Sequence, residues 1–298
     1  MDDARARHYG SFYGLDRVPE ADGRPLVVLH GNCQAESLRV LLSAPDSPVR
    51  TVRIPPVHEL TGDDLPYLHK LLGQADGVVS QPVRSGYRGL PIGTADVLAA
   101  AAPATRLVLV PVIRWAALHP FQVIVRSAAG EPPIVPYHDL RTMALAIDVK
   151  APPVGEDFVR AVRDISVREL RERQHRHGTI DVVDLLVEAG RQACQVVNHP
   201  GNPVLRGAAE RIALALGQTW ESQDPGRVLL NSVHAPVSPL VVDALGLDGA
   251  PTPDWLVHGR TVTDDEVREA HLDWYRRNPG VASDGLERHA EVARLLLG

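Results

Sequence analysis

The sequence predicts an α/β fold: a parallel sheet flanked by helices in its N-terminal part, with a large helical C-terminal portion. Three observations predict it. A short apolar run ends in glycine and is followed by helical spacing, and this strand-then-helix alternation recurs down to about residue 112. Beyond about residue 120, proline clusters and helix-length periodicities take over.

Leu26-Val27-Val28-Leu29 is apolar at consecutive positions, the pattern of a strand covered on both faces. Ala35, Leu38, Leu41 and Leu42 follow Gly31 at helical spacing. Val49 to Ile54 reads as a second strand. Thr61 and Asp64 form an N-cap pair ahead of Leu65, Leu68, Leu71 and Leu72. Gly77 to Ser80 is a third strand, the Ala-rich segment from Thr94 to Ala102 a helix, and Leu107 to Val112 a fourth strand. Strands alternating with helices at this spacing imply parallel pairing.

The prolines at 132–133 and 152–153 punctuate the chain before a helix predicted from Phe158 to Arg171. A second is expected from Thr179 to about Val196, with Val182, Val183, Leu185, Leu186 and Ala189 on its apolar side. A third has Asn202 as N-cap, Pro203 in its first turn and Gly217 beyond its end. Thr263 and Glu266 form a capping box before Val267, and Leu286 to Leu297 closes the chain. The expected organisation is an N-terminal arm over residues 1–23, an α/β core over 24–125, and a mainly helical portion over 126–298 completing the same domain.

Apolar residues make up 44% of 298 and charged residues 23%, enough for a sizeable core. The formal charge of -6 argues against nonspecific nucleic-acid binding, which needs a basic surface. The cations, nearly all arginine, still permit a local anion pocket. Two cysteines make no disulfide framework. No run reaches the ~20 apolar residues that span a bilayer, and the start MDDARARHYGSFYG is polar, so a cytoplasmic location without membrane insertion is expected. No Cys/His pair has zinc spacing, and His175-x-His177 lacks a third nearby ligand, so no metal is expected. The G-x-G-x-x-G and G-x-x-x-x-G-K-[ST] loops are absent.

In open parallel sheets, ligands sit outside the carboxyl ends of the strands, the place of Gly31-Asn32-Cys33-Gln34. Gly31 permits a sharp turn. Cys33 falls at a helix N-terminus, where N–H groups and the dipole favour a thiolate. The side chains of Asn32 and Gln34 are donors suited to an oxyanion. A nucleophile or an acceptor hydroxyl needs a base. His199, in a turn before a helix, is the first candidate, and His30, beside the turn, the second. His138, next to Asp139, reads as a ligand contact.

The turn places Cys33 where SGNH (GDSL) hydrolases carry their serine, directly after the first strand. The G-N-C-Q turn more specifically resembles the WcbI family of capsular polysaccharide acetyltransferases. Further segments carry the likeness: Ser80-Gln81-Pro82 with Tyr87-Arg88-Gly89, Pro111 through Pro120, Pro136-Tyr137-His138-Asp139, and Asn198-His199-Pro200. Their order covers roughly residues 25 to 205, and the likeness fades after about residue 210. The resemblance implies an SGNH- or flavodoxin-like sheet, coenzyme A as acyl donor, and transfer of the acyl group, acetyl first among them, to a hydroxyl of a sugar or natural-product scaffold. The phosphates of coenzyme A need cations and backbone donors. The contacts expected for it are Gly31, Gln81, Arg84, Ser85, Tyr87, Arg88, Arg114 and His138. Tyr87 and Trp115 are the rings offered to adenine. The rivals are an SGNH-like esterase and a non-enzymatic binder of a phosphate ligand, with sulfuryl transfer more remote.

Overall fold

The computed structural model describes residues 3–16 and 22–298. The chain divides into two compact units, one of Met1–Val112, Arg171–Leu185 and Asn202–Leu229, the other of Ile113–Leu170, Leu186–Gly201 and Leu230–Gly298.

The first unit begins with two short helices, α1 (Asp3–His8) and α2 (Gly10–Tyr13). Then come β1 (Leu26–His30), α3 (Cys33–Leu41), β2 (Arg50–Thr51), α4 (Leu65–Leu72), β3 (Gly77–Ser80), α5 (Thr94–Ala100) and β4 (Arg106–Leu109). The four strands form one parallel sheet in the order β2-β1-β3-β4. All of β1 and β3 is buried, as their unbroken apolar runs require. The second strand is shorter than its apolar run, pairing with β1 only at Arg50 and Thr51, and Pro55 and Pro56, which have no N–H to pair, follow that run. The fourth ends at Leu109 rather than Val112.

Side chains alternate across the sheet. Leu26, Val28 and Val78 join Leu68 and Leu72 of α4 and Val97 of α5 in one cluster. On the opposite face, the side chains of Val27 and Leu216 approach the position where a Cβ on Gly77 would stand. The helix Asn202–Ala215 buries Val204, Leu205, Ala208, Ala209 and Ile212, an amphipathic spacing. Asn202 is its first residue rather than its N-cap. The Asn202 amide instead ties down the segment before residue 230, accepting from the Leu229 N–H and donating to the Arg227 carbonyl. Gly217 ends the helix in a left-handed conformation, as its position predicts.

Of the residues read as an arm, 1, 2 and 17–21 lie outside the described residues. Tyr9, Phe12 and Tyr13 are buried in the same cluster as β1. Asp64 anchors them. Its carboxylate takes the Tyr13 hydroxyl at 2.8 Å, the Arg5 guanidinium at 2.9 Å, and both the N–H and hydroxyl of Thr61.

The second unit has two small two-stranded ladders, Gln122–Val123 with His138–Asp139 and Cys194–Val196 with His199–Pro200. A three-stranded antiparallel sheet is built from Val233–His234, Trp255–Val257 and Arg260–Val262. Val135, Tyr137, Val196, Val197, Val233 and Trp255 form its cluster. The predicted helix over Thr179 to Val196 is a correction: only Val183–Glu188 is α-helical. Gly190 takes a left-handed φ of 49° that ends helical growth, and Cys194–Val196 pairs as a strand. The helix from Phe158 is longer than read, Glu156–His177. Thr263 and Glu266 make both bonds of their capping box. The closing helix is broken at His289 into Pro279–Arg288 and Ala290–Leu297. Among the described residues no helix is long and apolar enough to cross a membrane.

Burial alone would raise the Asp64 carboxyl, but its bonds to Tyr13, Thr61 and Arg5 outweigh that and hold it below the ordinary carboxylate value. The folded protein thus binds that proton less readily than the unfolded chain. The resulting stability is complete above the unfolded carboxyl value and is lost as pH falls through the folded one. Asp64→Ala should cost about 3 kcal/mol in chemical denaturation at neutral pH, by stranding Arg5 and Tyr13. The gap between variant and wild type should close on acidification.

Candidate active site

In the first unit β1 has β2 on one side and β3 on the other, so the crevice between the carboxyl ends of β1 and β3 is a topological switch point. The turn after β1 lies there. Its backbone is pinned on two sides: Gln81 N–H donates to the His30 carbonyl at 2.9 Å and Val57 N–H to the Gly31 carbonyl at 2.8 Å. Asn32 is extended and caps α3, its Oδ1 accepting the Gln34 N–H at 2.9 Å. Cys33 is the first helical residue and is part-exposed.

The glycine at 31 has a different reason from the one its sequence position suggests. Its φ lies outside the left-handed region. A Cβ there would stand 2.4 Å from Gln81 Oε1 and 2.9 Å from the Ala35 Cβ, so close approach excludes a side chain.

Gln81 is the residue whose role the sequence did not disclose. It is 2% exposed, accepts the Asn32 N–H on Oε1 at 2.9 Å and donates from Nε2 to Gln34 Oε1 at 3.3 Å. Gln34 is itself 1% exposed. Its side chain therefore lies under the turn, in place of the open oxyanion donor read from the sequence. The only signal available was the Ser80-Gln81-Pro82 segment at the end of a predicted strand.

Burial pushes the Cys33 thiol above its ordinary value, and the N–H groups of Cys33 and Gln34, which favour the thiolate, only partly offset it. This corrects the expectation of a stabilised thiolate. His30 is fully buried, with Nδ1 3.1 Å from the Ser80 hydroxyl, which donates to the Gln81 carbonyl. Its Nε2 has no partner among the described residues, and burial lowers its pKa to about 4.

The arginines expected to meet phosphate are dispersed along the segment after β3. Arg84 and Ser85 are exposed and line an open cleft with Pro82, Thr94, Leu107 and His177. Arg88, in a left-handed conformation, directs its guanidinium to the His58 carbonyl. Tyr87 is part-buried against the core cluster.

The second unit holds the remaining predicted residues, His199, His138, Arg114 and Trp115. His199 sits edge-on to Tyr137, whose hydroxyl is 3.4 Å from Nε2 and donates to Asn198 Oδ1 at 3.0 Å. No hydrogen bond of normal geometry reaches its Nδ1, although the Leu230 backbone lies near enough to favour protonation slightly. Burial dominates and lowers its pKa to about 4, so the imidazole is neutral at pH 7. His138 is 1% exposed and bonded through Nδ1 to the buried Tyr275 hydroxyl at 2.6 Å, its ring edge lining a small cleft with Asp139 and Arg141. Arg114 is exposed and lines a separate cleft with Gln122, Glu169 and His289. Trp115 is 3% exposed, which removes it as a platform for adenine. No group of three or more metal-ligating side chains occurs among the described residues.

Two outcomes follow from this geometry. Gly31→Ala should cost about 2 kcal/mol in denaturant unfolding, since neither Gln81 nor Ala35 has room to yield. His30, His119, His138 and His199 all have pKa values lowered to about 4 from 6.5. The unfolded chain therefore binds more protons between those values, and stability is complete above 6.5 and lost as pH falls toward 4. Urea titrations should lose several kcal/mol over that window, because each histidine forfeits about 1.4 kcal/mol for every pH step of one between its unfolded and folded values. A flat profile would contradict the neutral, buried state of these rings.

The sequence profile described as "Polysaccharide biosynthesis enzyme WcbI" matches residues 26–221. A solved structure described as native WcbI, a polysaccharide biosynthesis enzyme, without a disulfide bond between coenzyme A and a cysteine, aligns with a TM-score of 0.77. It is 21% identical, and the alignment covers 92% of this chain and 97% of that one. At that identity the likeness is one of fold. No curated protein matches the chain.

Proposed function

The chain belongs to the WcbI family of polysaccharide biosynthesis enzymes, and on that premise we propose that it transfers an acyl group from coenzyme A to a hydroxyl at the Cys33 turn. The observation that carries the reading is the placing of a part-exposed cysteine at the first position of α3, over the switch point, with its own N–H and that of Gln34 facing the sulfur. The solved WcbI structure, described as free of a disulfide bond between coenzyme A and a cysteine of that protein, names coenzyme A beside a cysteine and supports the same kind of donor here.

In the covalent route, Cys33 Sγ adds to the thioester carbonyl and the bond from that carbon to the coenzyme A sulfur breaks. The proton leaving Cys33 passes to a base and then to the departing thiolate. The acceptor hydroxyl next attacks the acyl-cysteine, releasing the ester and restoring the thiol. Because burial keeps the thiol protonated, proton removal must accompany formation of the carbon–sulfur bond. His199 is the proposed base: a neutral imidazole at pH 7 is the form that accepts a proton. In the direct route the acceptor hydroxyl attacks the thioester carbonyl itself and the carbon–sulfur bond breaks. The hydroxyl proton passes through the base to the departing coenzyme A thiolate, and Cys33 only lines the pocket. The Cys33 N–H and the Asn32 amide are the proposed oxyanion donors. Arg84 with Ser85, and Arg88 and Arg114 through their remaining donors, are proposed for the phosphates. His138 is proposed as a wall of the ligand site. The acceptor is proposed to be a sugar hydroxyl, and a natural-product scaffold would be met by the same chemistry.

Calorimetric titration with coenzyme A, beside an Arg84→Ala/Arg88→Ala variant, tests the donor. Micromolar binding weakened about tenfold or more in the variant is expected for the loss of charge-assisted phosphate contacts. Ester hydrolysis with no affinity for coenzyme A would replace the reading with an SGNH-like esterase. Cys33→Ala should abolish an acyl adduct seen by mass spectrometry after brief donor exposure. Full turnover in Cys33→Ala would exclude the covalent route, and full turnover in His199→Ala would exclude His199 as the base.

A further inference from the structure

We propose that Gln81 is a positioning residue for the Cys33 turn: its buried amide holds the Asn32 backbone and the Gln34 side chain so that the Cys33 N–H and the Asn32 side-chain amide are left to meet a developing oxyanion. The inference rests on the reading of that turn as the reacting site, and it moves Gln81 from the ligand contacts to the framework beneath them.

The donors of the first turn can be accounted for one by one. The Asn32 N–H is taken by Gln81 Oε1 at 2.9 Å, and the Gln34 N–H by Asn32 Oδ1 at 2.9 Å. Ala35 and Glu36 donate to the Asn32 carbonyl at 3.0 and 3.3 Å. The Cys33 N–H has no backbone acceptor, and with Oδ1 fixed by the cap, Asn32 Nδ2 has no protein partner among the described residues. Those two donors belong to adjacent residues at the start of α3, one of them Cys33 itself, and an acyl carbonyl approaching Sγ would need such donors for its oxygen.

Three features show why this depends on Gln81. Its carbonyl oxygen must face the Asn32 N–H, which leaves its Nε2 for Gln34, so the amide has one orientation. Its oxygen fills the place of a Cβ on Gly31, so the two residues fit only together. Its own N–H continues the β1–β3 ladder at His30, so its backbone cannot drift relative to the turn. Without the Gln81 acceptor, the Asn32 N–H would be stranded beneath the turn or would turn upward as a third, misplaced donor.

The test uses the intact protein with Gln81→Met, which keeps volume but removes the acceptor, and Gln81→Glu, which restores an acceptor for the Asn32 N–H. Three readouts are taken: amide exchange at Asn32, the pH profile of Cys33 alkylation by iodoacetamide without ligand, and calorimetric affinity for coenzyme A. Gln81→Met should speed exchange at Asn32 at least tenfold, change the alkylation profile, and leave the dissociation constant within about threefold. Gln81→Glu should keep Asn32 protected and move the alkylation midpoint upward, because a carboxylate beneath the turn opposes the thiolate. A midpoint higher by about one on the pH scale means alkylation about tenfold slower at a fixed pH below it. In turnover, Gln81→Met should lower kcat about tenfold or more with little change in KM.

Lost coenzyme A affinity with exchange and alkylation unchanged would overturn the proposal and return Gln81 to the ligand contacts. Unchanged behaviour in all three readouts would reduce it to core filling. Should wild-type protein bind no coenzyme A, the donor assignment fails on its own, while exchange and alkylation still decide the role of Gln81. If Gln81→Met does not fold, the protected Asn32 and raised midpoint of Gln81→Glu carry the test.

Discussion

The parallel register of β1 against β3 is the constraint from which the site follows. Val28 lies beside Val78 and His30 beside Ser80, so the next residues out of the sheet, Gly31 and Gln81, emerge side by side. That adjacency excludes a Cβ at 31, brings the Gln81 amide under Asn32, and fixes where α3 starts. A slip of one residue would place Pro82, which has no N–H, where Gln81 now donates to His30, and would reverse which side chains meet the core. Burial of every residue of both strands makes such a slip expensive, so the hydrophobic core and the turn proposed to react are specified by one interaction.

The groups at the carboxyl end of this sheet and around His199 are kept uncharged. Burial holds the Cys33 thiol protonated and the imidazoles of His30 and His199 neutral. Charged side chains pair with one another elsewhere, as Arg39 does with Glu36 and Arg160 with Glu156. A neutral turn at Cys33 would suit the proposed acyl thioester, which is uncharged at the reacting carbon, because charge would then develop only in the transition state, where fixed N–H dipoles could meet it. The anionic end of a nucleotide-bearing donor would instead need exposed cations, and Arg84 is one.

How far the sequence discloses this architecture depends on the range of the forces involved. The four parallel strands and the helices after β1, β2 and β3 are legible because continuous apolar runs and 3.6-residue spacing are local patterns. The capping box at Thr263 and Glu266 is legible for the same reason. The ladders of the second unit are not: Gln122–Val123 and His138–Asp139 are two residues each, too short for a period, and exist because their partners are brought from elsewhere in the chain. The stretch from Thr179 to Val196 reads as helix because its valines and leucines fit that spacing, yet Gly190 and the pairing of Cys194–Val196 outweigh it. At the turn, the placing of Gly31, Asn32 and Cys33 directly after the first strand and at the start of α3 is visible in the sequence. The reason for Gly31 and the task of Gln34 are not, since both are set by Gln81, which is 47 residues from Gln34 along the chain.

The state of the Cys33 thiol bears on the order of chemical events. A thiolate formed in advance would pair naturally with a long-lived acyl-cysteine, but burial at this turn opposes it more strongly than two N–H groups favour it. In the proposed covalent route the sulfur would then lose its proton as it attacks, which would tie acylation to a neutral base, and a protonated thiol is a weaker nucleophile toward adventitious electrophiles. If the acceptor hydroxyl attacks directly, the same protonated thiol would be a small polarizable wall beside the donor sulfur, and the Cys33 N–H with the Asn32 side-chain amide would serve the oxyanion alone. Both proposed orders of events would call on the same donors of the turn and on a neutral base. The geometry held by Gln81 is therefore the element common to either route, and the fate of the Cys33 proton is what separates them.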